Sequence, residues 1–76
     1  METDLKKRLA AVRELKEAFG IDIQKITDFS EPPRNRTTVA KVLSGADERY
    51  LTETNLSAIE KGVQKILDEY RRRLCG

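Results

Sequence analysis

Apolar residues recur at intervals of three and four positions along most of this chain, which is the spacing of one face of an α-helix. The longest such series lies in the C-terminal third of the sequence and consists of Leu56, Ile59, Val63, Ile66, Tyr70 and Leu74. A second series near the N-terminus consists of Leu5, Leu9, Val12, Leu15 and Phe19. No segment shows the sustained alternation of apolar and polar residues that indicates a β-strand. The sequence therefore predicts an all-α protein, and its 76 residues are enough for one domain.

The ends of the predicted helices are marked by capping residues and by glycine. A side chain that can accept a hydrogen bond from a free backbone N–H precedes each helix: Thr3, Asp22, Asn35 and Thr52. Gly20 and Gly45 follow the first and third helices, where glycine can adopt a positive φ without a steric penalty. We expect helices over about residues 4–19, 22–29, 35–44 and 52–73, hence a small four-helix domain over 1–76. A five-helix version of the same domain is the alternative.

The two middle helices are short, and a stiff turn joins them. Pro32 and Pro33 disfavour the α conformation in the residue before each of them, so the second helix has to end ahead of this pair. In the third helix Val39, Val42 and Leu43 share one face, which leaves polar side chains on the other faces. Two short helices joined by a tight turn are what a helix-turn-helix requires.

The segment around the third helix is locally cationic because it lacks acidic residues, although the net charge of the chain is only +2. The segment 32–46 contains no aspartate or glutamate, while Arg34, Arg36 and Lys41 all lie in it. A helix that enters the major groove of DNA needs long or hydroxylic side chains that reach base edges, and it has to avoid acidic residues beside the phosphates. The charge pattern therefore favours a recognition helix over residues 35–44.

The possible catalytic nucleophiles and general bases reduce to serine, threonine, lysine, tyrosine and carboxylates. The chain has no histidine, its single cysteine is Cys75, and it contains no glycine-rich phosphate loop. We therefore expect neither an enzyme nor a bound metal or cofactor. Cys75 is either a reduced thiol in the tail or a crosslink across a dimer. No segment approaches the roughly 18 apolar residues of a membrane span, and the N-terminus has no signal-peptide core, so we expect a cytoplasmic protein.

Two segments resemble the phage-repressor superfamily of helix-turn-helix DNA-binding proteins, which includes lambda repressor-like, XRE-type and LacI-type regulators. Residues 35–45, NRTTVAKVLSG, are similar to the family's recognition helix, in which base-reading positions follow a small polar cap and precede a buried valine, an aliphatic pair and a terminal SG or NG. Residues 20–26, GIDIQKI, look like the entry to its first motif helix. The link between them, SEPPRN, has two prolines and is longer than is usual in the family. The resemblance covers residues 20–45 and implies a transcriptional regulator that binds double-stranded DNA.

The resemblance also implies roles for particular side chains. Three would read bases: Arg36, Thr37 and Lys41. Six would contact phosphates: Gln24, Lys25, Arg34, Thr38, Arg49 and Tyr50. Among these, Gln24 falls where the family commonly has a glutamine that contacts a phosphate. The alternative for the whole set is that they are ordinary solvated residues of a helical bundle.

The last helix is expected to extend beyond the rest of the molecule. At 1.5 Å per residue it would be about 33 Å long, whereas a compact chain of 76 residues has a radius of gyration of about 11 Å. We therefore expect Ile66, Tyr70 and Leu74 to lack packing partners in their own chain and to form the contact of a homodimer. The alternative function is a protein-interaction module, antitoxin-like or adaptor-like, that uses this helix. The arginines at 71–73 are either a nucleic-acid patch or cations that suit the C-terminal end of the helix dipole.

Overall fold

The structure of the protein, a computed structural model, describes residues 4–31, 33–45 and 47–75, the last of them without its side chain. Helix α1 spans Asp4–Phe19, α2 spans Ile23–Phe29, α3 spans Arg36–Ser44 and α4 spans Glu53–Cys75. A 3₁₀ turn over Glu48–Tyr50 separates α3 from α4. These residues contain no strand, so the prediction of a small all-α protein with a long C-terminal helix is confirmed. Two predicted features, the Thr3 cap and the Cys75 thiol, lie outside the part of the chain that the structure describes.

Local hydrogen bonds set the ends of α3 and the start of α4. The Asn35 side chain accepts a hydrogen bond from the Thr38 backbone N–H at 2.7 Å, which confirms the predicted cap of α3. Gly45 ends that helix with a φ of +70°. The Thr52 hydroxyl accepts a hydrogen bond from the Asn55 N–H at 3.2 Å just before α4 begins, so this cap is confirmed as well.

The junction between α1 and α2 follows the prediction only in part. Gly20 ends α1 with a φ of +61°, as expected. Asp22 occupies the N-cap position of α2, but its side chain makes no capping hydrogen bond to any described residue. Ile21 and Ile26, on either side of this cap, are both buried in the core. Apolar contact rather than a side-chain cap therefore holds the start of α2.

The apolar faces of all four helices meet in one core, and α2 packs against both α3 and α4. The buried residues of this core are Leu9, Val12, Ile21, Ile26, Val39, Val42, Leu43, Leu56, Ile59, Val63 and Ile66. The inward face predicted for α3 is therefore confirmed, since its three aliphatic residues all belong to this core. The polar side chains of α3 therefore lie outside the core.

The prediction that Ile66 lacks packing partners in its own chain is wrong. Its side chain is 0% exposed and belongs to the core. The reason is that α1 and α2 both pack along α4, which a comparison of helix length with the radius of gyration does not reveal. Only the last turns of α4 are left open: Tyr70 is 38% exposed and Leu74 is 85% exposed. Ile66 is therefore unable to contact a second copy while the chain keeps this fold.

Helices α2 and α4 approach each other closely at Gly62, a residue to which the sequence pattern assigned no role. A Cβ at this position would lie 3.0 Å from the Ile26 carbonyl oxygen, 3.1 Å from the Ser30 nitrogen and 3.2 Å from the Phe29 carbonyl carbon. All three are backbone atoms, so no flexible side chain could move aside to make room. The missing side chain of Gly62 thus sets how closely α2 lies against α4.

Glu31, which follows Ser30, is also bonded to α4. The Glu31 backbone N–H donates a hydrogen bond to the Ala58 carbonyl oxygen at 3.3 Å, and the Glu31 carboxylate pairs with the Lys65 ammonium group. This ion pair lowers the pKa of the Glu31 carboxyl. The first part of the two-proline link is therefore anchored to α4 by its backbone and by its side chain.

Arg8 links α1 to α4. Its guanidinium group pairs with the carboxylates of Glu60 and Glu53, and it donates a hydrogen bond to the Ser57 hydroxyl at 3.4 Å. The hydrogen bonds to Glu60 and Glu53 raise the pKa of the Arg8 guanidinium, and the one to Arg8 lowers the pKa of the Glu53 carboxyl. The N-terminal halves of α1 and α4 are therefore held side by side by charge as well as by the core.

We expect Arg8→Met to lower the urea midpoint of unfolding at about pH 7 and to lower it less at about pH 3. The pKa of Glu53 is lower in the folded chain than its ordinary value of 4.5. Its pairing with Arg8 therefore stabilises the fold above that ordinary value, and the stabilisation is lost as the pH falls through the folded pKa. Circular dichroism during urea titration measures both midpoints, and Arg13→Met is the matched control on the same helix. Equal losses at the two pH values would show that Arg8 acts through packing alone.

Candidate nucleic-acid interface

The exposed face of α3 carries the side chains that the sequence assigned to base reading. Arg36 and Thr37 are exposed in its first turn, and this turn contains no acidic residue. The Thr38 backbone N–H in this turn is already bonded to the Asn35 side chain. The Thr38 side chain is half-buried. The start of the helix combines the positive end of the helix dipole with the Arg36 guanidinium group. This end of α3 is therefore suited to an anionic partner.

Ser30 organises the link that leads into α3. It is buried, and its hydroxyl donates a hydrogen bond to the Thr27 carbonyl oxygen at 2.8 Å and accepts one from the Arg34 backbone N–H at 3.2 Å. The Arg34 guanidinium donates to the Pro33 carbonyl oxygen at 3.3 Å. Ser30 thus connects the end of α2 to the start of α3 across the two prolines, which is how this longer link holds the two helices together.

Gln24 and Arg36 line one groove, formed where the starts of α2 and α3 come together. Lys16 of α1 and Asp22 line the same groove. The Gln24 side-chain amide donates a hydrogen bond to the Asp28 carboxylate at 3.0 Å, so it lies along the exposed surface of α2. The structure therefore brings one predicted phosphate contact beside one predicted base-reading residue.

Two cations of α1 join this surface, although the sequence analysis did not assign them to it. Arg13 and Lys16 line a second groove together with Ala40 and Ser44 of α3. No ion pair joins Arg13, Lys16 or Arg36 to another residue in the described ranges. The spacing of Arg13 and Lys16 puts them near each other on α1, but only the packing of α1 beside α3 reveals that they border α3.

Acidic residues also border these grooves. Glu17 lies beside Arg13 and Lys16, and Asp22 lies beside Arg36. Three cations therefore face two carboxylates across the two grooves, which share Lys16. The two cations of α1 are matched in number by the two carboxylates, so the excess positive charge of this surface comes from Arg36 of α3.

Lys41 is less accessible than Arg36, because it lies against Tyr50. Its ammonium nitrogen is 4.6 Å from the centroid of the Tyr50 ring and donates a hydrogen bond to the Tyr50 hydroxyl at 3.4 Å. Both side chains are half-buried. A cation over the face of an aromatic ring is attracted by the ring quadrupole. Lys41 and Tyr50, assigned to different roles from the sequence, therefore form one unit between α3 and the 3₁₀ turn.

Arg49 and Lys25 lie apart from the two grooves. The Arg49 guanidinium donates two hydrogen bonds to the Asp47 carboxylate at 3.1 Å, which raises the pKa of Arg49 and lowers the pKa of Asp47. The Lys25 ammonium nitrogen is 5.7 Å from the centroid of the Tyr70 ring on α4. Arg49 therefore has its charge compensated within the chain, and Lys25 lies next to a predicted dimer contact and does not line the groove that Gln24 lines.

No protein-family model, curated protein or solved structure matches this chain. A function has to be assigned from the side chains of this surface and from their chemistry.

The side chains of this surface are chiefly hydrogen-bond donors. Across residues 4–31, 33–45 and 47–75, no three histidine, cysteine, aspartate or glutamate side chains are grouped so that they could hold a metal ion. The described helices also include none that is long and apolar enough to cross a membrane. The surface offers guanidinium, ammonium, amide and hydroxyl groups, which are hydrogen-bond donors for phosphates and for base edges.

Proposed function

We propose that this protein is a sequence-specific DNA-binding regulator of transcription that inserts α3 into the major groove. The observation that carries the proposal is the division of α3 into two faces. Its aliphatic residues are buried, whereas its exposed positions are basic or hydroxylic and include no carboxylate. An α-helix of this kind fits the width of the major groove of B-form DNA, where base edges can be distinguished.

Three side chains read the bases in this proposal. Arg36, at the exposed start of α3, donates two hydrogen bonds to the O6 and N7 acceptors of a guanine. Thr37, beside it, contacts a thymine methyl group. Lys41, about one helical turn further along, binds a second guanine by exchanging its hydrogen bond to the Tyr50 hydroxyl for one to the base. The resemblance of residues 35–45 to a phage-repressor recognition helix supports these assignments.

The surrounding side chains bind phosphates. Gln24 and Arg34 flank the start of α3, and Thr38 offers its hydroxyl from the first turn of that helix. Arg13 and Lys16 extend the same contact along α1. Their cations release condensed counterions on binding, so they contribute affinity that falls as the salt concentration rises.

Three further predicted phosphate contacts have competing partners within the chain. Arg49 has to exchange the Asp47 carboxylate for a phosphate, and Tyr50 has to share its hydroxyl with Lys41. Lys25 lies over the Tyr70 ring and lines neither of the two grooves beside α3. We therefore expect these three to add less affinity than Gln24, Arg34 and Thr38.

The proposed protein acts as a homodimer on a palindromic site, with one α3 in each half-site and the half-sites about one helical turn apart. The alternative, a protein-interaction module that uses α4, needs a free apolar face on that helix. Most of the apolar stripe of α4 is buried in the chain's own core, which leaves only Tyr70, Leu74 and the half-buried Leu67. DNA binding through α3 makes use of surface that the core does not need, and we prefer it for that reason.

We expect Arg36→Ala to remove base preference at one position of a site selected from random DNA. The loss should be about 1 to 3 kcal/mol of discrimination, the value of one bidentate contact with guanine. The measurement is fluorescence anisotropy of the selected duplex and of variants changed at each position. Arg13→Ala is the matched comparison, because a lost phosphate contact weakens binding to all sequences alike and reduces the slope of log K against log salt by about 0.9.

Arg72→Ala, on the last turn of α4, serves as the control for total charge and should leave base preference unchanged. If selection from random DNA returns no common sequence, the protein does not read bases. An unchanged footprint for both Arg36→Ala and Lys41→Ala would remove α3 from the interface.

A further inference from the structure

A small recess lies where the start of α2 meets the last turns of α4. The residues that line it are Lys25, Ile66, Glu69, Tyr70 and Arg73. Lys25 belongs to the first turn of α2, whereas the other four belong to α4. Two cations from different helices, Lys25 and Arg73, therefore border one recess, which we call the α2–α4 recess.

The polar groups of the α2–α4 recess are open to a ligand. Neither Lys25 nor Arg73 forms an ion pair with any residue that the structure describes. The Tyr70 hydroxyl makes no hydrogen bond within the same part of the chain. Glu69 also lines the recess, but its single negative charge leaves an excess of one positive charge. An ammonium, a guanidinium and a phenol hydroxyl are donors that bind the oxygens of a phosphate.

The dipole of α4 does not by itself explain this arrangement. The negative end of a helix stabilises any cation in its last turn, which applies to Arg72 and Arg73 alike. Arg72 does not line the recess, however, and Lys25 belongs to a different helix. The convergence of Lys25 and Arg73 is therefore a feature of the tertiary structure that the charge of one helix end does not require.

The packing of α2 brings the α2–α4 recess close to the surface beside α3. Helices α2 and α4 run antiparallel, since Gly62 meets the end of α2 and Tyr70 meets Lys25 at its start. Consecutive side chains on a helix point about 100° apart. Gln24 therefore faces the groove that it shares with Arg36, while the next residue, Lys25, faces α4. A DNA strand that passes the start of α2 meets the groove on one side and the recess on the other.

We infer that the α2–α4 recess binds a backbone phosphate of the duplex, outside the base pairs that α3 reads. Arg73 and Lys25 donate hydrogen bonds to the phosphate oxygens, and the Tyr70 hydroxyl donates a third. Lys25 shares this phosphate with Arg73, in keeping with its smaller expected contribution. A phosphate contact carries no sequence information, so the recess adds affinity and fixes the position of the duplex without adding base preference.

The inference rests on the proposed function for its ligand, and it extends the DNA contact from α3 to the end of α4. A free phosphate ion offers the same oxygens as the DNA backbone. The experiment therefore has one arm with duplex DNA and one with inorganic phosphate.

The first arm measures fluorescence anisotropy of the full chain with the selected duplex, lengthened by about ten base pairs on each side. Arg73→Ala should reduce the slope of log K against log salt by about 0.9. Its loss of affinity relative to the wild type should then be about three to four times larger at about 50 mM salt than at about 200 mM. Base preference should stay unchanged at every position. A duplex trimmed back to the base pairs that α3 reads should bind the variant and the wild type alike.

Arg71→Ala is the matched control, because it removes the same charge from the same helix at an exposed position that does not line the recess. It should keep the wild-type slope. Lys25→Ala should reduce the slope as Arg73→Ala does. Tyr70→Phe keeps the ring under Lys25 and removes only the hydroxyl, so it should weaken binding and leave the slope unchanged.

The results separate this inference from the proposed function. Wild-type slopes for both Arg73→Ala and Lys25→Ala, with base preference retained, would overturn the inference and leave the proposed function standing. If selection returned no common sequence, base reading would fail, yet a reduced slope for Arg73→Ala on random duplex would still support the recess. A wild type that binds no duplex at any salt concentration would overturn both.

The second arm follows the ring resonances of Tyr70 by NMR during titration with inorganic phosphate in the absence of DNA. The wild type should show shifts that Arg73→Ala reduces and Arg71→Ala does not. Such shifts in a chain that binds no duplex would assign the recess to a small phosphate ligand and overturn the backbone contact.

Discussion

Gly62→Val is expected to lower the free energy of unfolding by about 3 kcal/mol, the upper part of the range for an overpacked core. Even the first carbon of the new side chain would meet three backbone atoms of α2 at 3.0 to 3.2 Å. The two further methyl groups of valine have to enter the same space, and only a displacement of α2 away from α4 can provide it. For a chain of this length the whole stability is about 4 to 11 kcal/mol, so the variant would lose between about a quarter and about three quarters of it.

The measurement is urea unfolding followed by circular dichroism, with Lys61→Val as the matched control. Lys61 is the neighbouring residue of α4 and is exposed, so valine there changes helix propensity without meeting α2. Gly62→Ala separates the two effects further. Alanine should stabilise an isolated helix by about 1 kcal/mol relative to glycine, and we expect the contact with α2 to reverse that sign. An increase in stability for Gly62→Ala would show that α2 can move away at little cost.

Gly62→Ala also tests whether the packing of α2 against α4 affects the proposed DNA binding. Helix α2 carries Gln24 and leads through Ser30 into the cap of α3, so a shift of α2 displaces the start of the proposed recognition helix. At a temperature where Gly62→Ala is still folded, we expect its base preference to weaken although no DNA-facing residue has changed.

Ile66→Ala is expected to lower the free energy of unfolding by about 2 to 5 kcal/mol, the range for removing a buried aliphatic side chain and leaving a cavity. The side chain has no exposed surface and lies between α4 and the rest of the core. The effect should be the same at every protein concentration, because this residue stabilises the single chain. It therefore distinguishes packing within the chain from packing between chains.

Leu74→Ala is the matched control, since it removes the same kind of apolar side chain from the same helix two turns further on. We expect it to change the unfolding free energy of the monomer by less than about 0.5 kcal/mol, as for other surface substitutions. Unfolding in urea at a low and a high protein concentration measures both variants. If Ile66→Ala destabilised the chain only at the high concentration, Ile66 would be an interface residue after all.

The third helix illustrates what could be predicted from the sequence. Its cap at Asn35, its stop at Gly45 and its inward aliphatic residues all depend on contacts within about four positions along the chain. A helix closes its hydrogen bonds locally, so these features are encoded where they occur. The exposure of Arg36 and Thr37 then follows by subtraction, and both side chains are exposed in the structure.

The burial of Ile66 illustrates what could not be predicted. Its spacing in the apolar stripe was evident, but spacing does not reveal whether another helix of the same chain or a second copy covers that stripe. Gly62 had no side chain to signal its role, and an isolated glycine in a helical pattern indicates only that some close approach is available. The covering of α4 by α2 depends on residues that are far apart in the sequence.

The positions of the charged residues were evident from the sequence, but their partners were not. The acid-free segment around α3 was visible in the sequence, and so were its cations. The structure adds that Lys41 lies over Tyr50, that Arg49 is held by Asp47, and that Arg13 and Lys16 border α3.

By itself, then, the sequence determined four helices, their ends and the division of α3 into a buried and a polar face. These are consequences of hydrogen bonds and apolar spacing within a few residues. The tertiary structure alone decided which stretch of α4 is covered, which cations share a surface and which apolar face stays open. Those outcomes depend on how closely helices can approach, as Gly62 permits for α2, and on pairs such as Arg8 and Glu60, which are 52 positions apart.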